Sequence, residues 1–169
     1  MSRNIILVSV LFVVALAGIM WWGRDAQTTS SVQSNVGALA AGSLVAEETV
    51  YDFGTIAMKD GVVSHQFRVR NDSEAPVLIQ KVYTSCMCTT VNIQLRSGKT
   101  YGAFGMPGHG PSKTNIEVGP HEEATVLAMF DPNAHGPSGV GLANRSVYLE
   151  TNSPKTKQVE LRFSALVVR

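Results

Sequence analysis

Cys86 and Cys88 are the only cysteines in this 169-residue chain and the first candidates for a chemically active site. Two cysteines at positions i and i+2 of one β-strand project from the same face, because side chains alternate along a strand. A disulfide between them is near the limit of the allowed Cα separation, so it would be strained and easily reduced. The pair could instead bind a soft metal ion as thiolates, or serve simply as small buried residues.

The strand parity around the cysteines predicts which face they occupy. Five residues share the apolar parity of a strand over 87–95: Met87, Thr89, Val91, Ile93 and Leu95. Cys86 and Cys88 have the opposite parity, so we expect them on the less buried face unless a bulge at Met87 resets the register.

A second constellation is an internal repeat, in which His-Gly-Pro-Ser begins at His109 and again at His135. Each copy lies in a long loop rich in glycine and proline, over 98–112 and 132–144. If the strands at 87–95, 113–118 and 123–131 run antiparallel in succession, both loops lie at one end of the fold. His109 and His135 could then approach each other with Met106 nearby, a ligand set that suits copper. The alternative is that both histidines only hydrogen-bond backbone carbonyl groups.

The same parity predicts that the cysteines and the histidines form separate sites. Cys86 and Cys88 begin the strand whose far end leads into the first histidine loop. Seven residues at about 3.3 Å each separate these groups by about 20 Å. Only a loop that folds back along the sheet would bring them together.

The candidate residues are predicted to lie on β-strands or in the loops that connect them. From residue 47 onward the apolar pattern has period 2, and glycine, proline and Asn/Asp clusters interrupt it every 8 to 15 residues. The expected strands are 49–56, 63–70, 76–84, 87–95, 113–118, 123–131, 145–151 and 158–167. This pattern predicts an all-β fold, an immunoglobulin-like antiparallel β-sandwich of about seven to eight strands.

The N-terminal part is predicted to lie in and beside a membrane. Residues 5–22 form an uncharged apolar run long enough to span a bilayer as a helix, after a short cytoplasmic region at 1–4. A cleaved signal peptide is the alternative, with a small-x-small site at 15–17. We favour a single-pass anchor because the run continues through Trp22. Residues 23–46 read as a flexible linker and 47–169 as the domain outside the cytoplasm.

Charge and motif content restrict the classes of function. Arg3, Arg24 and Asp25 are the only charged residues before position 47, so 12 of the 14 basic and 12 of the 13 acidic residues lie in 47–169. This balance argues against a nucleic-acid partner, which would select for a basic surplus. The chain contains no nucleophile elbow, P-loop, zinc-protease or dinucleotide motif, so we expect no enzymatic activity.

Several short segments resemble the bacterial domain-of-unknown-function family 1573. They are the Tyr-Asp-Phe-Gly-Thr-Ile segment at 51–56, the 61–67 segment with His65, Asn71, Ser-Cys-Met-Cys-Thr at 85–89, Phe-Asp-Pro at 130–132 and Thr-Asn-Ser-Pro at 151–154. The resemblance implies an exported or membrane-anchored protein with an immunoglobulin-like fold of the hydin and sperm-protein type, and it implies no established catalysis. This chain departs from the family at Met87, where a glycine is usual, and in its longer glycine-rich loops.

These observations predict a non-catalytic immunoglobulin-like module, tethered to a bacterial cell membrane and facing the periplasm or cell surface, that binds a protein or envelope component. The alternative is a soft-metal (copper) or thiol-redox protein that uses the two cysteines or the two histidine loops.

Overall fold

The structure, a computed structural model, describes residues 42–169 as ten β-strands and two short 3₁₀ helices. The strands are β1 (Leu44–Ala46), β2 (Val50–Ala57), β3 (Val63–Asn71), β4 (Val77–Thr84), β5 (Thr89–Leu95), β6 (Thr100–Phe104), β7 (Lys113–Val118), β8 (Glu123–Phe130), β9 (Gly141–Thr151) and β10 (Gln158–Val168). The 3₁₀ helices are Met58–Asp60 and Gly136–Gly139.

The strands form two five-stranded sheets that enclose one hydrophobic core. Sheet 1 has the order β1-β3-β8-β5-β6 and sheet 2 the order β2-β10-β9-β4-β7. The largest fully buried side chains come from both sheets, and they include Phe67, Ile93, Ile116, Leu149 and Phe163. The predicted all-β, immunoglobulin-like sandwich is thereby confirmed.

The period-2 pattern of the sequence accounts for this core. In β10, Val159, Leu161, Phe163, Ala165 and Val167 are all buried, while the residues between them are exposed or half-buried. One face of the strand therefore packs against the other sheet, as alternation requires. The predicted strand positions coincide with β2 to β5 and β7 to β10 to within a few residues.

Not every strand pair is antiparallel as predicted. β1 pairs antiparallel with β3 in sheet 1, whereas β2 pairs parallel with β10 in sheet 2. The chain changes sheets over residues 47–49, which places the early strand β2 beside the last strand of the chain. Apolar alternation identifies a strand but carries no information about the direction of its neighbour, so the sequence pattern could not reveal this pair.

Two of the ten strands were not predicted. β6 is short, contains Gly102 and buries only Phe104, so it resembles a glycine-rich loop in sequence. β1 occupies 44–46, which the sequence assigns to the linker, and its Leu44 is 1% exposed. The packed domain therefore begins at least three residues before the predicted boundary at 47.

The predicted membrane segment at 5–22, with the region at 1–4 and most of the 23–46 linker, lies outside the described residues. Within residues 42–169 no helix is long and apolar enough to cross a membrane. The anchor and the location outside the cytoplasm therefore stay predictions.

The docking of β1 can be tested with two residues of that strand. Leu44→Ala should lower the free energy of unfolding by about 2–4 kcal/mol, because it leaves a cavity in the core. Val45→Ala is the matched control, since Val45 is 44% exposed and its truncation should change stability by less than about 0.5 kcal/mol. Urea denaturation of the full chain measures both, and equal effects would show that β1 is not docked as described.

Candidate functional site

Cys86 and Cys88 lie in a turn between β4 and β5, joined as a disulfide. The Thr89 amide donates a hydrogen bond of 3.2 Å to the Cys86 carbonyl, which closes a four-residue turn. The turn brings the two Cα atoms to 5.3 Å, well inside the usual range for a disulfide, whereas an extended strand would hold them near its limit.

This turn corrects the predicted exposure of the cysteines. β5 begins at Thr89, two residues later than predicted, so strand parity does not extend to Cys86 and Cys88. Cys88 is 3% exposed and joins the core, and Met87 is 50% exposed at the tip of the turn. Thr89, Val91 and Ile93 are buried, as the alternation along the strand predicts. The prediction that the cysteines lie on the opposite, less buried face of the strand is wrong.

Side-chain and backbone hydrogen bonds hold the turn on both sides. The Thr84 hydroxyl lies 2.9 Å from the Cys86 carbonyl and 3.1 Å from the Thr89 carbonyl, and it can donate its one proton to either. The Asp131 amide donates to the Cys88 carbonyl at 2.9 Å, which links the turn to the end of β8. The disulfide therefore sits in a fixed backbone frame.

The two sulfur atoms have different surroundings. The Nε group of Arg145 donates a hydrogen bond of 3.0 Å to Cys88 Sγ. The same guanidinium group lies 5.8 Å from the centre of the Phe130 ring, and desolvation by burial lowers the pKa of Arg145. Cys88 therefore has a cation beside it in a partly apolar setting, where an opposite charge is poorly screened.

Cys86 is half-buried and contacts a histidine. His135 Nε2 lies 3.2 Å from Cys86 Sγ, and because a disulfide sulfur carries no hydrogen, Nε2–H is the donor. His135 is held by its loop, in which the Asn133 amide donates to Asp131 Oδ1 and Gly136 adopts a φ of 57° that favours glycine. An exposed imidazole is thus fixed against the more accessible sulfur.

The contact between His135 and Cys86 contradicts the predicted separation of thiols and imidazoles. The predicted separation assumes that no strand lies between β5 and β7, and this assumption reverses the direction of β8. With β6 present, β8 runs antiparallel to β5, and Phe130 at its end pairs with Thr89 at the start of β5. The loop that follows β8 therefore lies at the cysteine end of the sandwich.

The other predicted ligands, His109 and Met106, lie in the loop between β6 and β7. β6 returns along β5, and the Gly105 carbonyl accepts a hydrogen bond from the Thr84 amide, so this loop also begins at the cysteine end. His109 is exposed, and its amide donates to the Met106 carbonyl. His109 does not join the group of neighbouring ligand atoms formed by Cys86, Cys88 and His135.

Those three residues could hold a metal ion. The two sulfur atoms and the nearest His135 nitrogen all lie within 4.8 Å of one another. Among residues 42–169 this is the one group of three or more His, Cys, Asp or Glu residues with such spacing. This group contains His135 from the predicted copper set of His109, His135 and Met106, together with both cysteines.

One sequence signal could have found this arrangement. The Ser97-Gly98 dipeptide is a typical turn signal, and the Leu95 amide does donate to the Lys99 carbonyl across a hairpin there. Counting the hairpin strand after Gly98 changes the direction of every later strand. It would have placed His135 at the end of the sandwich that carries the cysteines.

A second candidate site lies on the outer face of sheet 1. A concave surface with a volume of about 750 Å³ is lined by Arg68, Arg70, Arg96 and His121, with Glu123 among them. Arg70 pairs with Asp72 and His121 pairs with Glu74. Arg68 and Arg96 form no ion pair within residues 42–169.

Comparison with known proteins supports the family and the fold. Residues 44–100 match the family described as "Protein of unknown function (DUF1573)", which confirms the resemblance over that segment. No protein of curated function matches the sequence significantly.

Two solved structures resemble the fold at low sequence identity. A protein of unknown function from Porphyromonas gingivalis W83 has a TM-score of 0.55 and 17% identity, over 78% of this chain and 51% of that one. The VesB protease of Vibrio cholerae has a TM-score of 0.50 and 14% identity, over 72% of this chain and 31% of the protease. The chain thus spans about half and about a third of these proteins, and the likeness concerns the fold alone.

The role of Thr84 in holding the cysteine turn can be tested by Thr84→Val. Because this hydroxyl is buried, solvent cannot readily take over its hydrogen bond to the backbone carbonyl groups, and its loss should lower the free energy of unfolding by about 1–2 kcal/mol. Thr90→Val is the matched control, because Thr90 is exposed and should tolerate the change. Urea denaturation measures both variants, and a neutral Thr84→Val would show that the hydroxyl does not support the turn.

Proposed function

We propose that this chain is a membrane-tethered module outside the cytoplasm whose Cys86–Cys88 disulfide exchanges reversibly with a dithiol partner protein. The observation that carries the proposal is the unequal setting of the two sulfurs: Cys86 is the more accessible and touches His135, while Cys88 is buried against Arg145. The partner that this module binds is therefore one that presents thiols to the cysteine end of the sandwich.

The unequal setting favours one direction of attack. A thiolate of the partner attacks Cys86 Sγ, the bond to Cys88 Sγ breaks, and its electron pair stays on Cys88 as a thiolate beside the Arg145 guanidinium group. A better stabilised leaving thiolate speeds thiol–disulfide exchange. The first product is a mixed disulfide between the partner and Cys86.

The second step completes a two-electron transfer. The partner's other thiolate attacks its own sulfur in the mixed disulfide and releases Cys86 as a thiolate, which can accept a hydrogen bond from His135. The partner dithiol is oxidised to a disulfide, Cys86 and Cys88 become a dithiol, and the two protons of the partner's thiols end on the cysteines or in solvent. The exchange is stoichiometric, so it requires no enzymatic turnover by this chain.

The role of Arg145 gives a kinetic test. Arg145→Gln should slow reduction of the disulfide by dithiothreitol about 3- to 10-fold, because the leaving Cys88 thiolate loses its neighbouring cation. Timed alkylation followed by mass spectrometry counts the free thiols. Arg145→Lys, which keeps the charge, should restore part of the rate.

Arg162→Gln is the matched control, because Arg162 is an exposed arginine on β10 whose guanidinium group pairs with Glu160, whereas that of Arg145 donates to Cys88 Sγ. Its reduction rate should equal that of the unchanged chain. A disulfide that resists dithiothreitol in the folded chain would overturn the proposal. Equal slowing in Arg145→Gln and Arg162→Gln would overturn the role of Arg145.

A second candidate function is binding of an anionic envelope component at the concave surface of sheet 1. The observation in its favour is that Arg68 and Arg96 line a concave surface of about 750 Å³ and form no ion pair with any of the described residues 42–169. Guanidinium groups suit phosphate because they can donate paired hydrogen bonds. The ligand class is therefore a phosphate-bearing polymer of the cell envelope.

Titration of the full chain with inorganic polyphosphate tests this candidate. Replacing Arg68 and Arg96 by serine should weaken binding about 10- to 30-fold. Each cation near an anionic surface contributes about 1 kcal/mol of binding free energy, and two are lost. Arg162→Ser combined with Lys155→Ser removes the same charge elsewhere and is the matched control. Equal weakening in both double variants would show that only net charge matters.

A further inference from the structure

We infer that the reduced form of this site binds one Cu(I) ion through Cys86 Sγ, Cys88 Sγ and a ring nitrogen of His135. The inference rests on the proposed function, because only a reduced pair supplies two thiolates. Neither the sequence pattern nor the family match places His135 with the cysteines; the folded arrangement of the turn and the loop after β8 does.

The spacing of the three ligand atoms fits a single ion. Bonds of about 2.0–2.3 Å from a metal to nitrogen and sulfur require ligand atoms about 3.5–4 Å apart. The described atoms all lie within 4.8 Å of one another, and His135 Nε2 is already 3.2 Å from Cys86 Sγ. Once the disulfide is reduced, the two sulfurs are free to separate to that distance, which Cα atoms 5.3 Å apart allow.

The number of protein ligands favours Cu(I) over zinc. Thiolates are soft ligands that suit Cu(I) and zinc, and imidazole suits both metals as well, so the number of ligands must decide between them. A structural zinc site normally takes four protein ligands, whereas no fourth Cys, His, Asp or Glu joins this group within residues 42–169. Three protein ligands complete a trigonal Cu(I) site, whereas Zn(II) held by two cysteines and one histidine needs water as a fourth ligand.

Charge balance also supports the site. Two thiolates and one Cu(I) carry a net charge of −1, and burying that charge without compensation would be costly. The Arg145 guanidinium group lies 3.0 Å from Cys88 Sγ on the buried side, so it supplies the missing positive charge. The Cys88 amide, 3.3 Å from Cys86 Sγ, adds a hydrogen bond to the other sulfur.

The redox state then controls metal binding. In the oxidised state the two sulfurs bond to each other and present no thiolate. Transfer of two electrons from the bound thiolates to a partner disulfide would re-form the Cys86–Cys88 disulfide and release the ion as Cu(I). The partner's S–S bond breaks in this step, and its two sulfurs take up two protons from solvent. Copper itself is neither oxidised nor reduced in this step.

Anaerobic titration of the reduced, full-length chain with Cu(I) against a chromophoric Cu(I) chelator tests the inference. We expect one tightly held Cu(I) per chain, and none in the oxidised chain. Cys86→Ser combined with Cys88→Ser should abolish binding. His135→Ala should weaken it at least about 10-fold, the scale on which even residues that support metal ligands act.

His109→Ala is the matched control, because His109 begins the same His-Gly-Pro-Ser sequence in the other loop. It should leave Cu(I) affinity unchanged. Equal loss in the His109 and His135 variants, or stoichiometric Zn(II) bound more tightly than Cu(I), would overturn the assignment.

The number of free thiols after dithiothreitol treatment of the folded chain distinguishes a wrong metal site from a wrong exchange function. If dithiothreitol yields two free thiols in the folded chain but no Cu(I) binds, the metal site is wrong and the exchange function stands. If the disulfide cannot be reduced without unfolding, the exchange function fails first.

Discussion

The antiparallel pairing of β5 with β8 is the constraint on which the arrangement of the site depends. Its register places Thr89 opposite Phe130, so the turn before β5 and the loop after β8 must emerge side by side. The amide of Asp131 and the carbonyl of Cys88 extend this ladder by one hydrogen bond. The meeting of His135 and Cys86 follows from this register, because both residues lie within a few positions of the last paired residues.

Strand positions were predictable from the sequence because burial on one face leaves a period-2 signature, as in β10. Cys86, Cys88 and His135 are all identifiable as candidates from the sequence, but their meeting is not predictable from the pattern, because a contact between distant residues depends on the order and direction of strands. Because the predicted strands do not include β6, the predicted direction of β8 is reversed, and His135 is predicted at the wrong end of the sandwich. β6 is short and buries only Phe104, so its sequence shows little alternation of apolar and polar residues from which a strand could be predicted.

The exposure of the cysteines was mispredicted for a more local reason. The strand parity of β5 does not reach the cysteines, because they lie in a turn where the alternation of side chains stops. Because the chain bends there, Cys88 points into the core and Met87 occupies the exposed tip. The bend also makes the two sulfurs unequal, since it turns one toward Arg145 and the other toward His135. The chemical difference within the pair is therefore a product of the turn and not of the residue types.

The exchange of sheets near the start of the domain has a mechanical consequence. Because β2 and β10 are parallel, a force that pulls the start of the domain away from its C-terminal end loads their hydrogen bonds in shear, all at once. β1, with only three paired residues, has few bonds to resist the same force and is expected to detach first. The β1–β3 pair is thus mechanically weak and the β2–β10 pair mechanically strong, so β1 can detach while the cysteine end stays folded.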